Sequence, residues 1–279
     1  MANVSDLLKY SDQLQSTSDS AQLDCELLLC YVLDVDRAWL RTWPEKPVSQ
    51  SLEAKFCALL EHRVQGQPIA YLVGSRGFWS MDLQVSQDTL IPRPETELLV
   101  ELALDLRLPK KSHGLDLGTG TGAVALALAT ERPDMNFIAV DYQVGAVSLA
   151  KKNCQALGLP NVNIFQSDWF DSVPLTDNQF DLIVSNPPYI SANDPHLQQG
   201  DVRYEPNSAL VSGVDGLDDL KKIITKSPCY LRSDGWLLLE HGFDQGPAVV
   251  RLMIEAGFQK VVTHKDYNQI DRVTLGQWV

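Results

Sequence analysis

Gly114-Leu115-Asp116-Leu117-Gly118-Thr119-Gly120-Thr121-Gly122-Ala123-Val124-Ala125-Leu126-Ala127-Leu128-Ala129 reads as a strand, a glycine loop and a helix. The glycines allow a tight turn and let a ligand approach the backbone closely. The next apolar run, Asn136-Phe137-Ile138-Ala139-Val140, ends on Asp141, 19 residues after Gly122. An acid at that point can accept hydrogen bonds from two ribose hydroxyls. The stretch predicts a ribose-bearing cofactor held by the loop and by Asp141. It does not choose the cofactor, because Gly118, Gly120 and Ala123 also satisfy the dinucleotide pattern G-x-G-x-x-G/A. A glycine turn with no ligand is the plainer reading. Strand, loop, helix and acid falling in order speak against it.

Downstream, strands are expected at Gly114–Leu117, Asn136–Asp141, Val162–Gln166, Asp181–Ser185, Gly235–His241, Gln259–His264 and Arg272–Trp278, with helices between the first five. Such alternation implies a parallel sheet covered by helices on both faces. Only Lys265 to Asp271 separate the last two strands, too few for a crossover helix, so the final strand should run antiparallel. Upstream, residues 1 to about 75 read as helical. Leu23, Leu27, Cys30 and Tyr31 recur at helical spacing, as do Phe56, Leu59, Leu60 and Val64. Ser20 or Asp19 can cap the first of these helices, and Ser49 or Ser51 the second. Residues 76–92 alternate in short extended pieces that fit a β-hairpin linker. Pro94 then begins a helix through Glu97-Leu98-Leu99-Val100-Glu101.

The fourth strand of the alternating region runs into Asn186-Pro187-Pro188-Tyr189. Two prolines fix two φ angles and remove two donors, and the residue before each is pushed toward extended geometry. The Asn186 side-chain oxygen and the Pro187 carbonyl can then both point outward and accept the two N–H bonds of an NH2 group, with Tyr189 as a flat face. A proline-rich turn that merely ends a strand is the bland alternative. The two features together discriminate. A nicotinamide enzyme has no special use for an NH2 acceptor, whereas a methyltransferase must hold a poorly nucleophilic planar nitrogen in line with its methyl donor.

At these residues the chain resembles the class I methyltransferases that modify amine or amide nitrogens. Asp116 to Gly122 is similar to their first motif, and Asn186 to Tyr189 to their (Asp/Asn/Ser)-Pro-Pro-(Tyr/Phe/Trp) motif. Gln67-Pro68-Ile69-Ala70-Tyr71-Leu72-Val73-Gly74, Ile91-Pro92-Arg93-Pro94-Glu95-Thr96-Glu97, Val202-Arg203-Tyr204-Glu205-Pro206 and Asp215-Gly216-Leu217 look like the HemK/PrmC family. The resemblance covers essentially the whole chain. It implies a seven-stranded, Rossmann-like α/β sheet with an antiparallel last strand, a small N-terminal helical domain that docks substrate (1–75), a hairpin linker (76–92) and a catalytic domain (93–279). It implies S-adenosyl-L-methionine as methyl donor, S-adenosyl-L-homocysteine as product, and the glutamine of the Gly-Gly-Gln loop of peptide chain release factors as substrate. Gly118, Thr119, Gly120, Thr121 and Gly122 are expected at the methionine end of the cofactor, Asp141 at its ribose, and Asp168 and Trp169 beside its adenine. Asn186 is expected at both cofactor and substrate, with Pro187, Pro188 and Tyr189 at the substrate. Asn186, Pro187 and Tyr189 are the expected catalytic set.

Composition narrows the alternatives. The net charge is −13, and residues 1–90 (7 basic, 12 acidic) and 91–279 (16 basic, 24 acidic) are both acidic. Neither part carries the basic footprint of sequence-independent nucleic-acid binding. This disfavours the competing reading, an amino-methyltransferase of adenine in RNA or DNA. A non-catalytic cofactor-binding module is disfavoured because the NH2 site accompanies the cofactor loop. No signal peptide is visible at Met1-Ala2-Asn3-Val4-Ser5-Asp6, and Leu27 to Leu33 is too short an apolar run to span a bilayer. Cys25, Cys30, Cys57, Cys154 and Cys229 form no C-x-x-C pair and read as reduced thiols of a cytoplasmic protein. The five histidines show no metal-ligand spacing. His241, at a strand end, is a candidate base or, more plainly, a packing residue.

Overall fold

The computed structural model describes residues 1–173 and 180–279. The chain divides into two units, Met1–Ser75 with Pro195–Tyr204, and Arg76–Asp194 with Glu205–Val279.

The first unit is helical: α1 (Val4–Leu8), α2 (Ala21–Leu33), α3 (Arg37–Thr42), α4 (Gln50–Val64) and α5 (Ile69–Val73). Its core is built from Phe56 and Leu60 of the stripe read on α4, with Val4, Leu7 and Leu14, but on α2 the buried face is Cys25, Leu28, Leu29 and Val32 rather than the expected Leu23, Leu27, Cys30 and Tyr31, of which Leu23 and Tyr31 are exposed. Ser49 caps α4 by accepting from Leu52 N–H. Ser20 stands at the N-cap of α2, but its hydroxyl donates to Asp24 instead. Asp24 is buried and is matched by Arg63 of α4, whose Nε lies 2.7 Å from it. Arg63 also reaches Asp201, and Arg203 and Tyr204 both donate to the carbonyl of Gln65. These bonds hold Pro195–Tyr204 within the helical unit.

The second unit opens with a two-stranded sheet, β1 (Ser75–Phe78) and β2 (Met81–Gln84), and then α6 (Glu97–Asp105), entered through a 3-10 turn at Pro94–Thr96. A seven-stranded sheet follows, with β3 (His113–Leu117), β4 (Asn136–Asp141), β5 (Val162–Gln166), β6 (Phe180–Ser185), β7 (Leu231–Glu240), β8 (Gln259–Lys265) and β9 (Asp271–Gln277). Their order is β5-β4-β3-β6-β7-β9-β8. The first five pair in parallel, and β9 inserts antiparallel between β7 and β8. That is the arrangement the short final connection demanded.

α7 (Ala123–Glu131), α8 (Val144–Leu157), α9 (Asp218–Lys226) and α10 (Gly246–Glu255) complete the unit. α7 is buried from Ala123 through Ala129, which its small, wholly apolar sequence permits. Two expectations need correction. α10 lies between β7 and β8, where Val249 and Met253 bury a helical face, although helices had been placed only between the first five strands. Between β5 and β6, residues 167–173 form turns, not a helix. The remainder of that expected helix lies outside the described residues. Among the described residues no helix is long and apolar enough to cross a membrane.

Candidate active site

Strand register builds the site. Leu117 pairs with Val140 on one side and with Ser185 on the other. The next residue of each strand path, Gly118, Asp141 and Asn186, therefore stands in one row at the carboxyl edge. Sheet order reverses between β3 and β6, the switch point at which open α/β sheets bind ligands. The cleft there is lined by Gly118, Thr119, Gly120, Thr121, Asp141, Trp169, Asn186 and Pro188 among the expected residues.

The glycine loop is shaped by left-handed backbone conformations that favour glycine. Gly118, Gly120 and Gly122 have φ of +70°, +58° and +89°. A Cβ on Gly118 would also stand 3.4 Å from the Trp169 indole, so the ring lies directly over the loop. Gly122 is the N-cap of α7 and does not line the cleft. A Cβ there would meet Leu126 at 2.8 Å, so its role is close packing of helix on loop.

Two carboxylates hold this loop. Asp141 Oδ2 accepts from Gly120 N–H at 2.9 Å, and Oδ1 accepts from Gln143 N–H at 2.9 Å. Each oxygen keeps a lone pair for a ribose hydroxyl. Burial pushes the Asp141 pKa up, against the pull of those backbone N–H groups. Asp116, at the end of β3, accepts from the Thr119 hydroxyl at 2.6 Å and from Ala125 N–H at 3.2 Å. Complete burial raises it to about 7. In the sequence Asp116 opens the glycine motif but carries no assigned role of its own. Its distinguishing signal was an acid in an otherwise apolar strand, directly before the glycines.

At the β6 end, Ser185 Oγ donates to Leu117 O at 2.7 Å and ties the two strand ends together. Asn186 Nδ2 donates to Thr96 Oγ1 at 3.0 Å. No described residue donates to Asn186 Oδ1, and Asn186 borders the cleft. The site thus presents an acceptor where an NH2 group would arrive. Pro187 is buried, and neither it nor Tyr189 lines the cleft. The Tyr189 ring packs into the apolar cluster beneath the sheet edge. Its hydroxyl donates to Glu240 Oε1 at 3.2 Å, and its carbonyl accepts from Gln245 Nε2. Asp168 also stands outside the cleft, whereas its neighbour Ser167 lines it. His241 is fully buried, with Nδ1 2.9 Å from Gly242 O and Nε2 2.8 Å from Thr274 Oγ1, which is the packing role. Burial lowers its pKa.

Residues of the 88–97 segment form another wall of the cleft, including Thr89, Pro92, Arg93 and Thr96. Arg93 pairs with Glu205 at 2.5 Å, and Ile91 N–H donates to the same buried carboxylate at 2.9 Å. Two motifs 112 residues apart in the chain, Ile91–Glu97 and Val202–Pro206, are joined by this pair. Ser208 and Ala209, just beyond, close the wall.

The left-handed glycines, the Asp141 carboxylate at the cleft and the indole over Gly118 suit a nucleoside-bearing methyl donor. Residues 7–74 match the PrmC N-terminal domain, and residues 94–200 match the methyltransferase small domain. Among solved structures, a methyltransferase from Pyrococcus furiosus has a TM-score of 0.53 at 16% identity, covering 78% of this chain and 96% of that one. The T. thermophilus 16S rRNA N2 G1207 methyltransferase has a TM-score of 0.52 at 22% identity, covering 74% of this chain and 50% of that one. Both likenesses are of fold. Sequence relatives are nearer. The release factor glutamine methyltransferase of Aliivibrio fischeri is 53% identical over 99% of this chain and 98% of its own length. That of Pseudomonas aeruginosa is 51% identical over 100% and 99%. That of Yersinia pestis is 53% identical over 94% of each. On an identity of about half sustained along its full length, the chain belongs to the release factor glutamine methyltransferase family.

Proposed function

We propose that this protein transfers a methyl group from S-adenosyl-L-methionine to the side-chain amide nitrogen of the glutamine in the Gly-Gly-Gln loop of peptide chain release factors. The observation that carries this reading is the orientation of Asn186. Its NH2 is engaged by Thr96, so its oxygen is the atom offered at the cleft. The names of the full-length relatives supply the substrate.

The chemistry asked of the protein is positioning. An amide nitrogen is a poor nucleophile because its lone pair is delocalised into the carbonyl. When bound, S-adenosyl-L-methionine supplies a methyl group on a positively charged sulfur and leaves as S-adenosyl-L-homocysteine. Asn186 Oδ1 and the Pro187 carbonyl are assigned to the two N–H bonds of the glutamine amide. Accepting both raises electron density on nitrogen, fixes the amide plane and stabilises the positive charge that develops there. Orientation of this kind supplies roughly 7–11 kcal/mol of barrier reduction in favourable cases. A strong base is not needed beforehand, because the methylated nitrogen is acidic and sheds its proton afterwards. The glycine loop and Asp141 are assigned to the methionine and ribose parts, and Trp169 to the adenine. Tyr189 supports the motif from below, holding its backbone through Gln245 and its ring through the core.

The helical unit is assigned to docking of the release factor. It contributes none of the residues lining the cleft, so its contribution to catalysis lies in holding a macromolecular substrate. The acidic charge of both parts fits a protein substrate and no direct nucleic-acid binding. Five cysteines with no C-x-x-C pair among them support a cytoplasmic location. Incubation of the purified protein with a release factor and methyl-labelled S-adenosyl-L-methionine tests the reading. Label should appear on the glutamine. Label on adenine of RNA or DNA, with the factor unmodified, would favour the competing reading.

A further inference from the structure

Asp215-Gly216-Leu217 stands outside the cleft, and so does Gln245, the N-cap of α10. The Gln245 side chain joins both places to the substrate motif. Its Nε2 donates to Tyr189 O at 2.9 Å and to Gly216 O at 3.3 Å, and its Oε1 accepts from Gly242 N–H at 2.8 Å. A side-chain amide has two N–H donors and one carbonyl oxygen, and each of them is engaged here. Two carbonyls at one end and an N–H at the other leave the amide one orientation, because a flip would set its oxygen against both carbonyls.

The clamp is held rigidly from behind. The Gln245 carbonyl accepts from Ala248 N–H and Val249 N–H, both at 3.0 Å, in the first turn of α10. That helix is anchored by Val249 and Met253, which are fully buried. Gly216 directly precedes Leu217, the N-cap of α9, whose Leu220 and Ile223 are buried as completely. Gly216 has a φ of +73°, and a Cβ on it would lie 2.3 Å from Tyr189 O. Its backbone is therefore pressed against the Tyr189 carbonyl with no room for a side chain.

The motif is short of holds of its own. Pro187 and Pro188 have no N–H to donate, and their rings fix φ. The second ring also restricts ψ of Pro187, but ψ of Pro188 stays soft. Upstream, the stretch is held by Ser185 Oγ on Leu117 O and by Asn186 Nδ2 on Thr96. Downstream, its backbone is held at the Tyr189 carbonyl by Gln245, and then by Ile190 N–H on Leu210 O at 2.9 Å. The Pro187 carbonyl lies between these anchors, so the place of Tyr189 O governs where it points.

We propose that Gln245 is a positioning residue for methyl transfer: by clamping the Tyr189 carbonyl against Gly216 it aims the Pro187 carbonyl at the glutamine amide. The inference rests on the assignment of Asn186 and Pro187 as the acceptors for that amide. It gives Asp215-Gly216-Leu217 the role of a backstop to the substrate motif.

The test is single-turnover methylation of an intact release factor with both substrates saturating. Gln245→Glu keeps the length of the side chain but sets a carboxylate oxygen against two carbonyls. Gln245→Met keeps the length and has no donor. Both should slow transfer by on the order of 10- to 10²-fold, with Gln245→Glu the slower, while affinity for S-adenosyl-L-homocysteine stays that of the wild type. Gly216→Ala displaces the same carbonyl from the other side and should slow transfer similarly. Combined with Gln245→Met it should cost less than the product of the two single effects. A clamp that served stability alone would lower Tm and leave the rate of the folded protein unchanged. A wild-type rate in folded Gln245→Glu or Gln245→Met would therefore overturn the inference, and should one of them fail to fold, the other decides. Asn186→Ala is the reference. Full activity in that variant would overturn the assignment of the acceptors, whereas a crippled Asn186→Ala beside full-rate Gln245 variants overturns this inference alone.

Discussion

Gly120 N–H donates to Asp141 Oδ2 at 2.9 Å, joining the middle of the glycine loop to the end of the neighbouring strand. The acid assigned to the ribose is thus also the brace of the loop assigned to the methionine part. Asp141→Ala should therefore lose more than a ligand contact. Each charged hydrogen bond removed costs about 1.5–3 kcal/mol, so S-adenosyl-L-homocysteine binding should weaken by at least ten-fold. Asp141→Asn keeps an acceptor for Gly120 and should fall between wild type and alanine. Titration calorimetry on the three proteins gives the ranking, and an unchanged affinity for the alanine variant would remove Asp141 from the cofactor site.

Asn186→Ala removes the acceptor facing the cleft and should lower turnover by on the order of 10²–10³, as loss of one preorganised polar group does elsewhere. Asn186→Asp retains an oxygen at that point and should be less impaired. Tyr189 behaves differently because its ring lies in the core and its hydroxyl on Glu240. Tyr189→Phe should cost about 1 kcal/mol of stability and little turnover. Tyr189→Ala should be severe in both. Single-turnover rates with matched circular dichroism separate the two residues.

The alternation of strands and helices, the antiparallel last strand and the glycine loop were legible because each is written in local sequence. Apolar runs, glycines and connection length carry them. The partners of the motif were not. Thr96 lies 90 residues before Asn186, and Glu240 lies 51 residues after Tyr189. Only the folded sheet brings them together. Glu205 and Arg93 were quoted as separate motifs for the same reason. Tyr189 was expected as a flat face for the substrate. Its ring packs inward because an aromatic ring with a hydroxyl finds both an apolar bed and a buried carboxylate there. α10 was readable, with Pro247 in its first turn and Val249 and Met253 one turn apart. The assignment of Pro195–Tyr204 to the helical unit was not, since it depends on a buried charge, Arg63, reaching across 138 residues to Asp201.

Stability should fall as pH rises through the range in which Asp116 and Glu240 ionise. Their ordinary values of 3.8 and 4.5 are both raised to about 7 by complete burial. Between those limits the folded protein keeps protons that the unfolded chain has released, so the stabilisation present at low pH is lost on the way up. Burial shifts Asp141 in the same sense. Asp116→Asn cannot ionise, so the fall of Tm across this window should be shallower than in the wild type. Parallel curves for the two proteins would show that Asp116 does not titrate there.

Arg63 neutralises Asp24 where both side chains are 7% exposed. Removing one partner of a buried pair leaves the other charge uncompensated, at a typical cost of about 3–5 kcal/mol. Asp24 retains the hydroxyls of Ser18 and Ser20, so Arg63→Met should fall at the lower end of that range. The double change Arg63→Met with Asp24→Leu should recover part of the loss. Denaturant unfolding of the four proteins closes the cycle.

The most direct measurement is mass spectrometry of a purified release factor after incubation with this protein and S-adenosyl-L-methionine. A single methyl group should appear on the side-chain amide of the glutamine in the Gly-Gly-Gln loop, and it should be absent when Asn186→Ala replaces the wild type. An unmodified glutamine, or a methyl group deposited equally well by the Asn186→Ala protein, would contradict the account.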